Sequence, residues 1–307
     1  MKNIEILSKE DITREILKSY NEYNNLFIGF QSFFLTGLYK RYKSIEKGNI
    51  VLFFSKETHK SVLRMKDYNF FHDISFIKFW ENHESAKHLK LSIGKISTEI
   101  NLPKETTRRN ILDLIKNKIL HKNKEIIYFS PNEYYKNDYN KFIEEEIDIL
   151  INLFEFIFKK LELFIEKKDI KKEIKKNFSF YWFHYLEAEL KYLKECKKNF
   201  TDLELLLISK QCSKIYLDKI KPGLAEVMMN ISYISESCGI PRATCLRKLE
   251  KLEKIGGIAQ NTKTKRYFMA SDHFGKSQIA IKNKTFDVIR IYSNFFYTCV
   301  RALSLKI

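Results

Sequence analysis

The sequence predicts a mainly α-helical protein with small β-hairpins, in which one structural unit of about 140 residues occurs twice. The chain of 307 residues contains only nine Gly and four Pro, which favours long helices joined by short connections. The stretch ISTEINLPKETTRRNILDLIKNKIL, residues 96–120, recurs with similar residues as ISESCGIPRATCLRKLEKLEKIGGI, residues 234–258. A polar, Lys-bearing stretch and an aromatic run follow in both copies, which is the pattern of a β-hairpin.

The repeat extends on both sides of these stretches, at offsets that change by small steps. FHDISFIKFW (71–80) aligns with FTDLELLLIS (200–209) at an offset of 129, and YFS (128–130) aligns with YFM (267–269) at an offset of 139. The stretches 96–120 and 234–258, which lie between these two pairs, are offset by 138. The offset therefore rises from 129 to 138, so the second copy contains 9 additional residues, which we expect in a loop around Lys221-Pro222-Gly223.

These alignments predict two units of similar length. The first unit is expected over 1–140 with its core at about 71–130, and the second over 141–307 with its core at about 200–270. Each unit is expected to begin with helix-rich sequence, which is followed by a helix that starts at Phe71 in one copy and Phe200 in the other.

A short helix, a tight turn and a longer helix come next in each unit. The expected helix ranges are about 93–100 and 103–117 in the first copy, and about 232–238 and 241–254 in the second. Asn101 and Gly239 stand at the turn, where a left-handed backbone is needed. Pro103 and Pro241 suit the first turn of the longer helix, because that backbone N–H has no helical partner.

The longer helix of each copy is amphipathic. Spacings of four and three residues predict these buried positions: Thr107, Ile111 and Leu114 in the first copy, and Cys245, Leu249 and Leu252 in the second. The opposite face would present these polar residues: Lys104, Thr106, Arg108 and Arg109 in the first copy, and Arg242, Thr244, Arg247, Lys248 and Lys251 in the second.

Two helices followed by a β-hairpin form a winged helix-turn-helix, whose second helix enters the major groove of DNA. Arginine on such a helix contacts guanine edges, and threonine contacts a phosphate or a thymine methyl. The hairpins carry further basic residues placed to contact the DNA backbone: Lys122 and Lys124 in the first copy, and Lys263, Lys265 and Arg266 in the second. These residues and the exposed helix faces form the predicted DNA-binding site.

The stretches GIPRATCLRKLEKLEKIGGI and NLPKETTRRNILDLIKNKIL resemble bacterial winged helix-turn-helix regulators such as the MarR type. The resemblance rests on the pattern GI-P/S-x-x-T-x-x-R-x-L-x-x-L-x-x-x-G-x-I and covers about 60 residues of each half. It implies a sequence-specific, DNA-binding transcriptional regulator. Regulators of this type usually have one such domain per chain and pair as dimers, so the duplication would make a single chain a pseudo-dimer.

The net charge of +17 is consistent with a polyanionic partner. Residues 1–150 carry 25 basic and 21 acidic side chains, whereas residues 151–307 carry 30 and 17. Because the excess is concentrated in the second half, we expect the second copy to provide more of the affinity for double-stranded DNA.

Two apolar helices at about 141–166 and 283–303 are expected to be buried between the two halves or between chains, or in a single-chain core. Burial between chains would give a homodimer. The aromatic stretch NFSFYWFHYL (177–186) has two interpretations, a pocket for a small-molecule effector or core packing, and we favour core packing.

Several classes of protein are excluded by what the sequence lacks. It has no nucleophile–base pair, phosphate loop or metal-ligand cluster, so we expect neither an enzyme nor a cofactor. Five cysteines without a CxxC pair fit the reducing cytoplasm. The most apolar segment, 147–165, contains five charged residues, so we expect no membrane span.

Two alternatives to a transcriptional regulator stay open. A replication-initiator-like protein with tandem winged helices would have the same DNA-binding surfaces. A protein-interaction or structural module is the other alternative, since winged helices also bind proteins, and Leu246 at the position of Arg108 provides an apolar residue for it.

Overall fold

The computed structural model describes residues 7–198, 200, 202–220, 227–270 and 278–304, with the backbone alone for 278–284 and 304. Its helices are α1 (Lys9–Lys18), α2 (Tyr20–Tyr42), α3 (Ile45–Tyr68), α4 (Phe79–Ser85), α5 (Ile93–Ile100), α6 (Lys104–Lys116), α7 (Glu133–Lys160), α8 (Lys167–Lys176), α9 (Phe178–Cys196), α10 (Leu203–Lys219), α11 (Ile231–Cys238), α12 (Arg242–Lys254) and α13 (Gln278–Ser304). Its strands are β1 (Leu120–Asn123), β2 (Ile126–Phe129), β3 (Ile258–Gln260) and β4 (Tyr267–Met269). The predicted class, mainly α with small β-hairpins, is confirmed.

The chain divides into two compact units, and neither is one contiguous half of the sequence. Unit 1 is taken from the segments Met1–Lys18, Glu46–Lys194 and Arg290–Ile307, and unit 2 from Ser19–Ile45 and Glu195–Ile289. These limits differ from the predicted 1–140 and 141–307. The predicted alignment assigned α2 to the first unit and α9 to the second, but α2 lies in unit 2 and α9 in unit 1.

The packing of α2 and α9 explains this difference. In unit 2, α2 lies along α10 and also contacts α11. In unit 1, α9 is fixed to α7 by the buried Tyr185 hydroxyl, which donates to Glu146 Oε1 at 2.6 Å. Both helices have apolar residues on several faces, so their sequences did not indicate which neighbour would bury them.

In unit 2, α10 is the central helix. It contacts α2, α11, α12 and β4, and its side chains Leu203, Leu207, Ile208 and Cys212 have no exposed surface. Asp202 caps its first turn by accepting the backbone N–H of Leu205 at 2.9 Å. The predicted nine-residue insertion around Lys221-Pro222-Gly223, just after α10, lies outside the described residues.

In unit 1, the long helix α7 forms much of the core. It begins at Glu133, capped by Asn132, and ends at Lys160, so the predicted range of 141–166 was shifted toward the C-terminus. The Phe154 ring packs against Phe295 and Phe296 of α13, at centroid distances of 5.7 and 5.4 Å. The second long helix, α13, begins at Gln278 rather than near 283.

Most apolar side chains of α7 are buried; Tyr135 and Ile149 are half-buried, and Tyr134 near its start is exposed. A single-chain core, one of the environments considered from the sequence, therefore accounts for α7. The aromatic stretch 177–186 is also core, as we favoured. Its buried residues are Phe178, Tyr181, Trp182, Tyr185 and Leu186.

The predicted helix starting at Phe71 is wrong, because the chain is irregular until α4 begins at Phe79. The Asp73 carboxylate accepts the backbone N–H of Ser75 at 2.8 Å, and the Asp73 carbonyl accepts the side-chain amide of Asn82 at 2.5 Å. These local hydrogen bonds compete with a helix. The corresponding helix of the second copy, α10, begins at Leu203 rather than at Phe200.

Each hairpin is a separate two-stranded antiparallel sheet. Leu120 pairs with Phe129 in the first hairpin, and Ile258 pairs with Met269 in the second. Phe129 and Met269 therefore hold equivalent places in the two hairpins, and they are 140 residues apart rather than the predicted 139. The additional residue lies in the loop of the second hairpin, which is the longer one.

None of the helices that the structure describes has both the length and the apolar composition required to cross a lipid bilayer.

Candidate nucleic-acid interface

The segments α5–α6 and α11–α12 have the same local geometry. Asn101 and Gly239, which follow the shorter helices, have φ values of 52° and 71°, the left-handed conformation predicted from the sequence. Across each turn a serine hydroxyl donates to a backbone carbonyl at 2.6 Å, Ser97 to Leu102 and Ser235 to Ile240. These bonds fix the angle at which the longer helix leaves the turn.

The longer helices bury the predicted residues. In α6 these are Thr107, Ile111 and Leu114, and in α12 they are Cys245, Leu249 and Leu252. All six side chains are at most 1% exposed. The hydrophobic spacing therefore determined which face of each helix points into its unit and which face remains accessible.

Both helices end in the same way. A left-handed residue follows, Lys118 after α6 and Gly256 after α12, with φ values of 56° and 75°. The next backbone N–H then bonds back into the helix, from Ile119 to Leu114 at 3.0 Å and from Gly257 to Leu252 at 2.9 Å. Each helix thus leads directly into its hairpin.

The structure leaves most of the predicted DNA-binding residues on the surface. The exposed ones are Lys104, Arg108, Arg109, Lys122, Lys124, Arg242, Arg247, Lys251, Lys263, Lys265 and Arg266. Thr106 and Thr244 are half-buried. Each longer helix therefore carries basic residues opposite its apolar face, and each hairpin extends the basic surface beyond the helix.

Lys248 does not belong to this exposed face, contrary to the prediction. Its side chain is only 15% exposed, and its ammonium lies 2.7 Å from Asp202 and 2.9 Å from Glu204, at the start of α10. Burial alone would lower the pKa of Lys248, but its hydrogen bonds to the two carboxylates raise it. The acidic partners lie more than forty positions earlier in the chain, so local periodicity could not reveal them.

The basic faces of α6 and α12 differ in their local charge compensation. On α6, the Arg108 guanidinium donates to both carboxylate oxygens of Glu105, at 2.7 and 3.0 Å. The hydrogen bond from Arg108 lowers the pKa of Glu105. On α12, Arg247 donates instead to the neutral Thr244 hydroxyl at 3.3 Å.

The two hairpin tips show a similar difference. The first tip contains Glu125, which forms an ion pair with Lys90, and this contact lowers the pKa of the carboxyl. The second tip, 261–266, contains three basic residues and no acidic one. The Asn261 side chain shapes it by accepting the backbone N–H groups of Lys263 and Thr264, each at 3.0 Å.

The charge difference between the sequence halves is not a difference between the units. Unit 1 contains 35 basic and 27 acidic residues, a net charge of +8, and unit 2 contains 20 and 11, a net charge of +9. The Lys-rich α8 belongs to unit 1, although it lies in the second half of the sequence. Any ranking of the two surfaces must therefore rest on their local contacts.

Two lysines that the sequence analysis did not select lie at the two turns. The side chain of Lys40, near the end of α2, crosses Gly239, with its Cγ 3.2 Å from where a Cβ on that glycine would lie. Lys194, near the end of α9, donates to the carbonyl of Thr98 in α5 at 3.3 Å. The sequence signal for both was weak: each of these two helices ends in a Lys-rich stretch.

His59, His83 and the five cysteines are buried in the interior. His83 contacts the carbonyl of Phe129, and burial lowers the pKa of His83 to about 4. The five cysteines are buried and free, and burial raises the pKa of Cys245 to about 11. Within the described part of the chain, no three His, Cys, Asp or Glu side chains are grouped so that they could hold a metal ion.

Comparison of the chain with protein-family models, with curated proteins and with solved structures finds no match.

Proposed function

We propose that this protein binds double-stranded DNA sequence-specifically through two winged helix-turn-helix surfaces, one in each unit, and regulates transcription. The observation that supports this most strongly is that α6 and α12 each present basic residues opposite a buried apolar face, directly after a tight turn and before a hairpin. In a winged helix-turn-helix, a helix held in this way enters the major groove.

Local contacts suggest a role for each group of residues. Arg109 and Arg247, on the exposed faces of α6 and α12, would contact base edges, because an arginine can donate two hydrogen bonds to one guanine. The lysines of the hairpins would contact phosphates, which position the protein without selecting a sequence. Lys248 has no direct role in this proposal, since it is neutralised by two carboxylates.

An internal duplication would explain why the two segments match in detail. The turn hydrogen bonds, the left-handed residues and the helix-ending bonds occur at positions 138 residues apart. One chain would then present two related but unequal DNA-binding surfaces, as a pseudo-dimer. A location in the cytoplasm, a homodimer and a small-molecule effector are further predictions, and α7 provides little apolar surface for a homodimer.

Protein binding is the second candidate function. Leu112 on α6 and Leu246 on α12 are 49% and 37% exposed, so each longer helix also presents an apolar residue. A replication initiator is a further alternative, which the geometry of one chain does not distinguish from a regulator. Iterated binding sites close together in the genome would favour the initiator.

Genome-wide mapping of the DNA bound by the full-length protein tests the proposal. We expect discrete sites, followed by binding of the purified protein to the mapped sequence with higher affinity than to a scrambled duplex. Sites upstream of genes would support regulation. Failure of the folded protein to bind any duplex at low salt would contradict DNA binding and favour the protein-interaction module.

A further inference from the structure

Lys40 and Lys194 each lie beside one of the two helix–turn–helix segments. Lys40 lies across Gly239, the residue that ends α11, and Lys194 contacts Thr98 in the last turn of α5. Gly239 is the turn residue itself, and Thr98 lies three residues before Asn101, the turn residue of the first segment. Each turn therefore has a lysine beside it that the segment itself does not supply.

The two lysines come from helices outside the helix–turn–helix segments. Lys40 comes from near the end of α2 and Lys194 from near the end of α9, and both helices lie in the unit opposite to the one predicted from the repeat. Two helices of different sequence thus each place a lysine beside the shorter helix or its turn. A requirement for positive charge near each turn would explain that.

Both ammonium groups can take a further acceptor, because the bond from Lys194 to the Thr98 carbonyl uses only one of its three N–H donors. Lys40 and Lys194 are exposed, and no carboxylate among the described residues forms an ion pair with either. In contrast, Lys191 on α9 lies 3.3 Å from Glu187, and Lys214 on α10 lies 2.6 Å from Asp218. The lysines at the turns therefore keep an uncompensated charge.

The position also suits a phosphate. When the longer helix enters a major groove with its N-terminal end, the shorter helix and the turn lie against the DNA backbone. Pro103 and Pro241 cap α6 and α12 without a side-chain hydrogen bond, so the first-turn N–H groups next to each turn have no competing side-chain acceptor. A lysine beside such a turn adds a full positive charge to this anion-favouring end.

We propose that Lys40 and Lys194 each contact a DNA phosphate at the turn, as additional members of the two binding surfaces. This inference rests on the proposed function and adds two residues to it from outside both motifs. Contacts of this kind position the protein and carry no sequence preference, so they would strengthen binding to every duplex equally.

The test uses the full-length protein and a mixed-sequence duplex of about three helical turns, ~30 base pairs. We would measure the binding constant over a series of salt concentrations for the wild type, for Lys40→Gln, for Lys194→Gln and for the double variant. Each substitution should weaken binding roughly 5- to 10-fold at about 0.1 M salt and reduce the slope of log K against log salt by about 0.9. The double variant should lose about twice that slope.

Lys191→Gln and Lys214→Gln are the matched controls. Each removes one positive charge from the same unit as its test variant, but from a lysine that a carboxylate already neutralises. Their salt slopes should stay close to the wild-type value. Lys40→Arg and Lys194→Arg should also keep the wild-type slope, because they retain the charge.

Binding by the wild type tests the proposed function, and the salt slopes of the variants test the role of Lys40 and Lys194. If the wild type binds the duplex and both glutamine variants keep its slope, the lysines only stabilise the turns and the inference is wrong. A lower melting temperature without a change in slope leads to the same conclusion. If the folded wild type does not bind at low salt, the proposed function itself fails.

Discussion

Arg109 and Arg247 stand at matching positions on α6 and α12 but have different neighbours. Arg247 donates to the neutral Thr244 hydroxyl, whereas the charge of Arg109 acts on the nearby Glu105 and helps to lower the pKa of that carboxyl. We expect Arg247→Ala to weaken binding to the specific site by about 1–3 kcal/mol and to relax the preference at one base pair. Arg109→Ala should cost less, because a carboxylate already compensates part of its charge.

Titration of both variants on the mapped site and on single-base variants of that site measures the two effects. A greater loss for Arg109→Ala would show that local charge compensation does not rank the two surfaces. If neither variant changes binding, these helices do not contact bases.

Lys248 and Lys251 are three residues apart on α12 and differ in burial. Lys248 bridges Asp202 and Glu204 at 15% exposure, so Lys248→Met leaves two partly buried carboxylates without their cation. We expect a loss of about 1–2 kcal/mol in the free energy of unfolding, between the values for surface and buried ion pairs.

Lys251→Met is the control for this prediction, because Lys251 is exposed on the same helix. It should change the free energy of unfolding by less than about 0.5 kcal/mol and should reduce the salt dependence of DNA binding instead. Urea unfolding and salt titrations of both variants measure the difference. Equal stability of the two variants would argue against a structural role for the Lys248 bridge.

At the scale of single elements, the glycines before and after α12 have similar backbone conformations, but an added side chain would have different neighbours at each. Gly239 and Gly256 have φ values of 71° and 75°, so replacement of either by alanine costs about 1 kcal/mol in strain. A Cβ at Gly256 would meet nothing within 4 Å, whereas one at Gly239 would lie 3.2 Å from Lys40 Cγ.

We therefore expect Gly239→Ala to lower the melting temperature more than Gly256→Ala. The difference reflects displacement of the Lys40 stem from the turn. The variant Gly239→Ala in a Lys40→Ala background should then behave like Gly256→Ala. Equal losses for the two single variants would show that the stem moves aside without cost.

The elements also show which features could be predicted from the sequence. The turn at Gly239 and the buried face of Cys245, Leu249 and Leu252 depend on residues close in sequence. Both predictions were confirmed. The partners of α2 and α9 could not be predicted, because helices with apolar residues on several faces have no single direction of burial. The same limit applies to Lys248, whose carboxylate partners come from a different helix.

For the whole molecule, the net charge of +17 and two basic surfaces predict that DNA binding depends steeply on salt. With about six to eight phosphate contacts, the affinity should fall by roughly 10³-fold or more between about 50 and 200 mM salt. Titrations of one duplex at several salt concentrations measure this. An affinity that is independent of salt would contradict an interface built from lysine and arginine.

The stability of unit 1 should decrease in acid. His59 has no exposed surface, stacks on Phe79 at 4.5 Å and has no hydrogen-bond partner on either ring nitrogen among the described residues. Burial lowers the pKa of His59 to about 3 and that of His83 to about 4. Since the usual value in an unfolded chain is about 6.5, the unfolded state binds more protons below that pH.

The stabilisation from the two neutral histidines is complete above about pH 6.5 and is lost as the pH falls toward about 4 for His83 and about 3 for His59. We expect the free energy of unfolding to drop by about 1.4 kcal/mol per histidine between about pH 7.5 and 5.5. His59→Phe should remove its share of this drop. Exchange of the exposed His121 for glutamine is the control, and urea unfolding at the two pH values is the measurement.

The division of the chain into units has a consequence for protein synthesis. The ribosome synthesises α2, with its apolar side chains Phe30, Phe34 and Leu35, early in translation. Its partner α10 is synthesised roughly 160 residues later. At about 5–20 residues per second, the ribosome needs roughly 8–30 s to bridge this interval. During that time α2 lacks α10, the helix against which it packs most extensively among the described residues, so the nascent chain should need chaperones until α10 emerges.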